Sequence, residues 1–400
     1  MSQGTSPFTA QELQPQAEML EVQHGKGELF IGIPKERQHQ EKRICLTPDA
    51  VSALTAHGHR VMIEKGAGAG SSFSDISYSE AGAEVTADTK RVYSCPLILK
   101  VEPLTLEEIE WIKPETTVIS AIQIKTQHKS YFSALSKKQV TALAFEFIKD
   151  DTGQHPAVCA LSEIAGRASV LIASELMSNN DKDGRGRLFG NISGVPPTQV
   201  VILGAGTVGS HAAKTAIGLG ASVRMFDNSI SRLKRAKTFV GQEFYTSTVQ
   251  PKYLTKSLRR CDVAIGALKG TNRAPVVVTE QMVDKMKPGS IIIDVSIDMG
   301  GCFETSEVTN HDKPTFTRNG VIHYGVPNIP SRYSRTATLS LSNIFTPYLL
   351  QIADNGGIEH AIRQDLGLRS GVYLYHGVLT NKIVGDWFDL DYRDPNLLIF

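Results

Sequence analysis

The stretch VVILGAGTVGSHAAKTAIGLGASVRMFD, residues 200–227, limits what this chain can fold into more than any other. An apolar run over 199–203 meets a glycine turn, the turn opens a helix, and a second apolar run over 223–226 ends in an acid. Glycines in this pattern alone would be a weak signal; with strand, helix and acid in place they spell a dinucleotide-binding βαβ unit. Gly204 allows the tight turn, Gly206 lets backbone approach a pyrophosphate, and Gly209 lets helix and strand pack closely. The free N–H groups of the helix start, with Val208 in its first turn, offer positive dipole to phosphates. Asp227 is placed to accept hydrogen bonds from ribose hydroxyls, and its charge disfavours a 2′-phosphate. NAD is therefore expected over NADP, although Arg232, five residues on, could receive a phosphate.

Around this unit, apolar runs alternate with helical stretches. Strands are expected at 29–33, 60–64, 97–100, 117–125 and 142–145, then at 199–203, 223–226, 263–266, 290–295 and 321–324. Thr47 and Pro48 predict a helix start, with the helix ending near Gly58. Residues 161–177 read as one long amphipathic helix with Ser162 as its cap, and 338–355 as another. The expected fold is α/β: two Rossmann-like domains, each a doubly wound parallel sheet, with a cleft between them. The helix placement predicts that residues 161–334 form an NAD domain inserted into a substrate domain made of 29–160 and 335–400. Residues 1–28, polar and rich in Gln, Glu and Ser, read as an extension, part loop with one short helix.

Composition removes several classes of function. Lys and Arg total 42 against 41 Asp and Glu, so no basic field exists to gather nucleic acid or anionic lipid. No run of eighteen apolar residues marks a membrane span, and the N-terminus has no secretory pattern. The five cysteines are dispersed, with no CxxC, which fits a reducing cytoplasm and predicts no disulfide framework. No zinc motif occurs and no metal is expected; His57-Gly58-His59 reads as a surface turn after a helix.

Charged residues in the first half look costly for packing alone. Lys100 ends the apolar run Leu97-Ile98-Leu99, with Glu102-Pro103 next, and Arg43 precedes the Thr47 cap. The strings IGIPKER, EKRICLTPDAV, HGHRVMIEKGAGAGSSFSD, LILKVEP, LSEIAGRAS, GRGRLFGNISGV, VVILGAGTVG, MKPGSIIIDVSIDMGGCFE and GVPNIP follow in one order from about Leu29 to about Ala353. Together they resemble the alanine dehydrogenase family, whose superfamily also includes the NAD-binding part of proton-translocating transhydrogenase and the saccharopine dehydrogenases.

The resemblance implies roles position by position. Arg43 matches the arginine that clamps the substrate carboxylate, a bidentate task suited to a guanidinium. Lys100 matches the lysine at the substrate carbonyl or imine. Ser162 and the glycine loop at 204–209 match pyrophosphate contacts, Leu268 a cofactor contact, Asp298 the aspartate beside the nicotinamide, and Asn328 the closing cofactor loop. One position departs. Where the family carries a histidine for proton transfer, this chain has Gln123, which hydrogen-bonds but does not titrate near neutral pH. Lys125, on the same face if the strand continues, His128 just beyond it, and Lys100, if burial lowers its pKa, are the candidate replacements. The family's activity is NAD-dependent oxidative deamination of L-alanine to pyruvate and ammonium, and that is the expected reaction, with a homo-oligomer, often a hexamer. Two other readings stay open: a diverged enzyme for another amino acid or imine, of saccharopine type, and a non-catalytic NAD-binding component like that of transhydrogenase.

Overall fold

The computed structural model describes residues 27–38, 40–179, 184–270 and 273–399; the expected extension lies almost entirely outside them. Among the described residues, fifteen strands form two sheets. The first contains β1 (Phe30–Ile33), β2 (Arg60–Glu64), β3 (Glu84–Thr86), β4 (Leu97–Leu99), β5 (Thr117–Ser120) and β6 (Thr141–Ala144). The second contains β7 (Gln199–Leu203), β8 (Ser222–Phe226), β9 (Tyr245–Ser247), β10 (Val263–Gly266), β11 (Ile291–Asp294), β12 (Thr315–Arg318) and β13 (Val321–Tyr324). The chain then returns, and β14 (Val372–Tyr375) and β15 (Val378–Leu379) extend the first sheet.

The strand orders are β15-β14-β6-β5-β4-β1-β2-β3 and β12-β13-β11-β10-β7-β8-β9. Among the described strands, only the pairs β14–β6, β14–β15 and β12–β13 are antiparallel. Both sheets are thus doubly wound, with strands such as β5, β6, β10 and β11 buried along their whole length because helices cover both faces. The strand order reverses between β1 and β4 in the first sheet, and between β7 and β10 in the second. At such points the loops beyond the carboxyl ends of the strands diverge and leave a crevice.

Two long helices, Pro156–Leu176 and Ser334–Asp354, carry the chain out of the first sheet and back to it. The former begins at Pro156, not at 161: Pro at the first helical position follows His155 as the cap. Ser162 therefore sits inside the helix and does not cap it. By length and composition this helix is apolar enough to cross a membrane, but Gly166 lies so close to the helix Thr207–Gly218 that a Cβ there would come 2.4 Å from the Val208 carbonyl oxygen.

A second correction concerns 117–125. The strand stops at Ser120, and residues Ile124–Thr126 make a short 3₁₀ turn. Gln123 adopts a left-handed backbone with φ 45°. Strand alternation therefore does not place Lys125 beside it.

Candidate active site

The glycine turn after β7 is built as a phosphate cradle. Gly204 has φ 110°, and a Cβ there would lie 2.3 Å from the Ala267 carbonyl oxygen and 3.2 Å from the Leu268 nitrogen. A Cβ on Gly209 would lie 1.9 Å from the Gly204 carbonyl oxygen. Neither position tolerates a side chain. Gly206 differs: a Cβ there meets nothing within 4 Å. Space is thus kept free above the turn, at the start of the Thr207–Gly218 helix, where a pyrophosphate would meet N–H groups. Ser162 lies one helical turn before Gly166, on the side that packs against Val208.

Asp227, at the end of β8, is buried. Its Oδ2 accepts the Ala205 N–H at 2.8 Å and its Oδ1 the Ser229 N–H at 2.7 Å. The carboxylate thus holds the glycine turn in place, and each oxygen keeps a lone pair for a ribose hydroxyl. Arg232 is exposed one turn into the next helix. The pieces on this edge fit a dinucleotide. The loop 184–190 lies elsewhere: Arg187 pairs with Asp262, which immediately precedes β10, at the end of the strands opposite the glycine turn.

In the first sheet, residues that follow β1, β4, β5 and β6 converge beyond the carboxyl ends. Lys100 is buried, and its Nζ donates to Glu108 Oε1 at 3.0 Å and Oε2 at 2.9 Å, with Glu36 Oε2 at 3.6 Å. Burial works against its charge, but Glu36 and Glu108 outweigh burial and raise its pKa. Lys100 therefore remains an ammonium, and the expectation that burial could make it a base is overturned. Glu108 also closes a capping box with Thr105, whose N–H it accepts at 2.8 Å, and accepts the Tyr93 hydroxyl.

Arg43, also buried, forms a fork with Glu41: Nε donates to Oε1 at 2.7 Å and Nη2 to Oε2 at 2.5 Å. Two of its five N–H groups are used there, which leaves the Nη1 edge to receive a ligand carboxylate. Burial works to raise the Glu41 pKa, but the charge and hydrogen bonds of Arg43 prevail and hold it at about 2. Glu102, buried between Arg43 and Gln123, behaves oppositely. Its Oε1 is 4.0 Å from Arg43 Nη2, and its Oε2 accepts Gln123 Nε2 at 2.8 Å. Burial, with the charge of Glu41 beside it, pushes its pKa up to about 7. Glu36 is likewise pushed up to about 7, by burial first and with Lys100 opposing. Glu146, after β6, accepts the Ile122 N–H at 2.6 Å and holds the turn that carries Gln123.

The two edges meet. Asn328, itself left-handed at φ 61°, donates from Nδ2 to Glu41 Oε2 at 2.5 Å. The Lys42 N–H donates to Ser331 Oγ at 3.0 Å, and the His311 N–H to Gln40 Oε1 at 2.9 Å. Asp298 follows β11; it keeps contact with solvent yet is crowded by protein, and desolvation raises its pKa while Lys125 of the first sheet's loop opposes. Lys125 and His128 are both exposed.

The structure thus brings Arg43, Lys100 and Gln123 together, and Gly204, Gly206, Val208, Gly209, Asp227 and Leu268 together, with Asn328 joining the groups. Sequence reasoning missed the carboxylates Glu36, Glu41, Glu102, Glu108 and Glu146. Their only signal was proximity in sequence: Glu41 two residues before Arg43, Glu102 two after Lys100, and Glu108 in the pattern of a capping box.

The sequence matches two family models, "Alanine dehydrogenase/PNT, N-terminal domain" over residues 32–168 and "Alanine dehydrogenase/PNT, C-terminal domain" over 169–382. It is 38% identical over 367 residues to the alanine dehydrogenase of Bacillus subtilis (strain 168), covering 91% of this chain and 96% of that one. A solved structure titled L-alanine dehydrogenase superposes with a TM-score of 0.84 at 35% identity, covering 90% of this chain and 99% of that chain. A transhydrogenase from Sinorhizobium meliloti shares the fold, with a TM-score of 0.74 at 24% identity over 88% of this chain and 99% of that chain.

Proposed function

The chain belongs to the alanine dehydrogenase/PNT family, and from that premise we propose that it oxidatively deaminates L-alanine to pyruvate and ammonium, reversibly, with NAD. The observation that carries the reading is the pairing of a dinucleotide cradle on one sheet edge with a buried arginine–lysine site on the other, in a chain similar to an alanine dehydrogenase along nine-tenths of its length. Gly204, Gly206, Val208, Gly209, Ser162 and Leu268 would hold the pyrophosphate side, and Asp227 the ribose, with Arg232 at the rim. Bound NAD supplies a hydride acceptor.

The chain's own residues do the rest. The open Nη1 edge of Arg43 takes the alanine carboxylate. Lys100, kept as an ammonium by Glu36 and Glu108, stabilises negative charge at the carbonyl oxygen of pyruvate. Asp298 and Asn328 approach from the cofactor side; the bond from Asn328 to Glu41 ties that side to the arginine and helps exclude water. The working units in this reading are 29–160 with 335–400 for substrate and 161–334 for NAD, supported by the return of β14 and β15 to the first sheet. We also propose a cytoplasmic homo-oligomer, with a hexamer as the expected state; the five free cysteines fit a reducing compartment, and sedimentation of the purified protein measures the assembly.

The test is NADH absorbance with L-alanine and NAD, and its loss with pyruvate, ammonium and NADH. Turnover in both directions is expected. NADH binding without turnover on alanine overturns the reading.

A further inference from the structure

We infer that Glu102 is the group that takes a proton from the substrate ammonium, and that Gln123 is the residue that positions it. This rests on the alanine dehydrogenase reading above.

The argument starts from placement. Glu102 follows β4 at the point where the strand order of the first sheet reverses, two residues after Lys100. Its Oε1 lies 4.0 Å from Arg43 Nη2. In an α-amino acid the nitrogen is two bonds from the carboxylate carbon, so a ligand carboxylate on Arg43 puts its ammonium in the neighbourhood of this oxygen. The other oxygen, Oε2, is fixed by the amide of Gln123 at 2.8 Å. Gln123 is in turn fixed by its turn: the Glu146 carboxylate accepts the Ile122 N–H at 2.6 Å and the Gln123 N–H at 3.4 Å.

The charged groups that face Glu102 favour this assignment. Arg43 and Glu41 approach from the segment before the Pro48–Ala56 helix, Glu36 from the segment after β1, and Lys100 from its own strand end. Glu41 is bonded to Arg43 and Asn328, and Glu102 shares a side-chain hydrogen bond with it. Two carboxyls side by side push their pKa values apart, and the one with fewer cationic bonds holds the proton. Glu102, at about 7, gains and loses a proton near neutral pH, where a general base is most effective. Lys100 remains charged, and glutamine does not titrate.

The step balances as follows. One N–H proton of the alanine ammonium passes to a carboxylate oxygen of Glu102, which frees the nitrogen lone pair. The Cα–H bond then breaks, and hydrogen leaves with both electrons to the nicotinamide while the lone pair becomes the C=N bond. Alanine is oxidised to the iminium, NAD is reduced, and the proton rests on Glu102 until solvent or the departing nitrogen receives it.

The experiment compares pH profiles of kcat/KM for L-alanine, with NADH affinity and Tm, in wild type, Glu102→Gln, Glu36→Gln and Gln123→Ala. Wild type turning over alanine keeps the underlying reading; wild type that binds NADH without turnover overturns that reading, and this assignment with it. Given turnover, wild type shows activity rising through a limb near pH 7. Glu102→Gln loses about 10²–10⁴-fold in kcat, keeps NADH affinity, and loses the limb. Gln123→Ala keeps a limb but displaces it, and Glu36→Gln keeps the limb near neutral pH. The assignment is overturned if folded Glu102→Gln retains the limb or falls by less than about tenfold, or if the limb disappears with Glu36 instead.

Discussion

At the scale of single residues, the account turns on a guanidinium that is half committed. Glu41 holds one edge of Arg43 through two bonds and leaves the other open. Removing the fork should therefore remove substrate binding and leave the dinucleotide cradle intact. Arg43→Gln is expected to lower kcat/KM for alanine by about 30-fold or more, the equivalent of about 2–5 kcal/mol for truncating one partner of a buried charge pair. Its NADH affinity should match wild type; an equal loss in both measurements would place Arg43 in the scaffold instead. Lys100 depends on Glu108 in the same way. Glu108→Ala strips a buried ammonium of its two shortest bonds and unmakes the Thr105 cap, so a loss of about 3–5 kcal/mol in denaturant unfolding is expected.

At the scale of elements, the glycine turn separates packing from binding. Gly209→Val drives a side chain into the Gly204 carbonyl and should cost about 1–3 kcal/mol of stability. Gly206→Val enters open space at an ordinary backbone angle, so Tm should hold while NADH affinity falls. Loss of Tm in Gly206→Val would contradict the cradle. This unit was legible in the sequence because strand, turn and helix are contiguous and each glycine answers a local demand. The run 117–125 reads as one strand because apolar alternation continues in sequence past Ser120, whereas the backbone leaves the sheet there and turns left-handed at Gln123. The short strands β3, β9 and β12 escaped notice since three or four partly exposed residues carry little pattern. The carboxylate cluster was hidden for another reason. Glutamates usually face water, and only the strand order β1-β4-β5 places Glu36, Glu102 and Gln123 around one lysine.

At the scale of the whole molecule, titrating carboxylates stand at the seam between the two sheets, Glu41 bonded across it to Asn328 with Glu102 and Glu36 behind it. Glu41 is held at about 2 in the folded state against an ordinary value of 4.5, so its contribution is full above pH 4.5 and is lost as pH falls toward 2. Glu36 and Glu102 are raised to about 7, so the folded state binds their protons more tightly and stability declines as pH rises from 4.5 through 7. Thermal stability should accordingly be greatest at roughly pH 5, with the decline on the alkaline side flattened in Glu36→Gln; a scan of Tm against pH that is flat in wild type would contradict the assigned directions. The central claim is that the two edges cooperate to move a hydride from Cα of alanine to NAD. Its most direct measurement uses L-alanine deuterated at Cα, with mass analysis of the reduced cofactor and of the rate. Deuterium in the NADH, with slower turnover than the unlabelled substrate, is the predicted result. Reduced cofactor without deuterium, or no reduction at all, would contradict it.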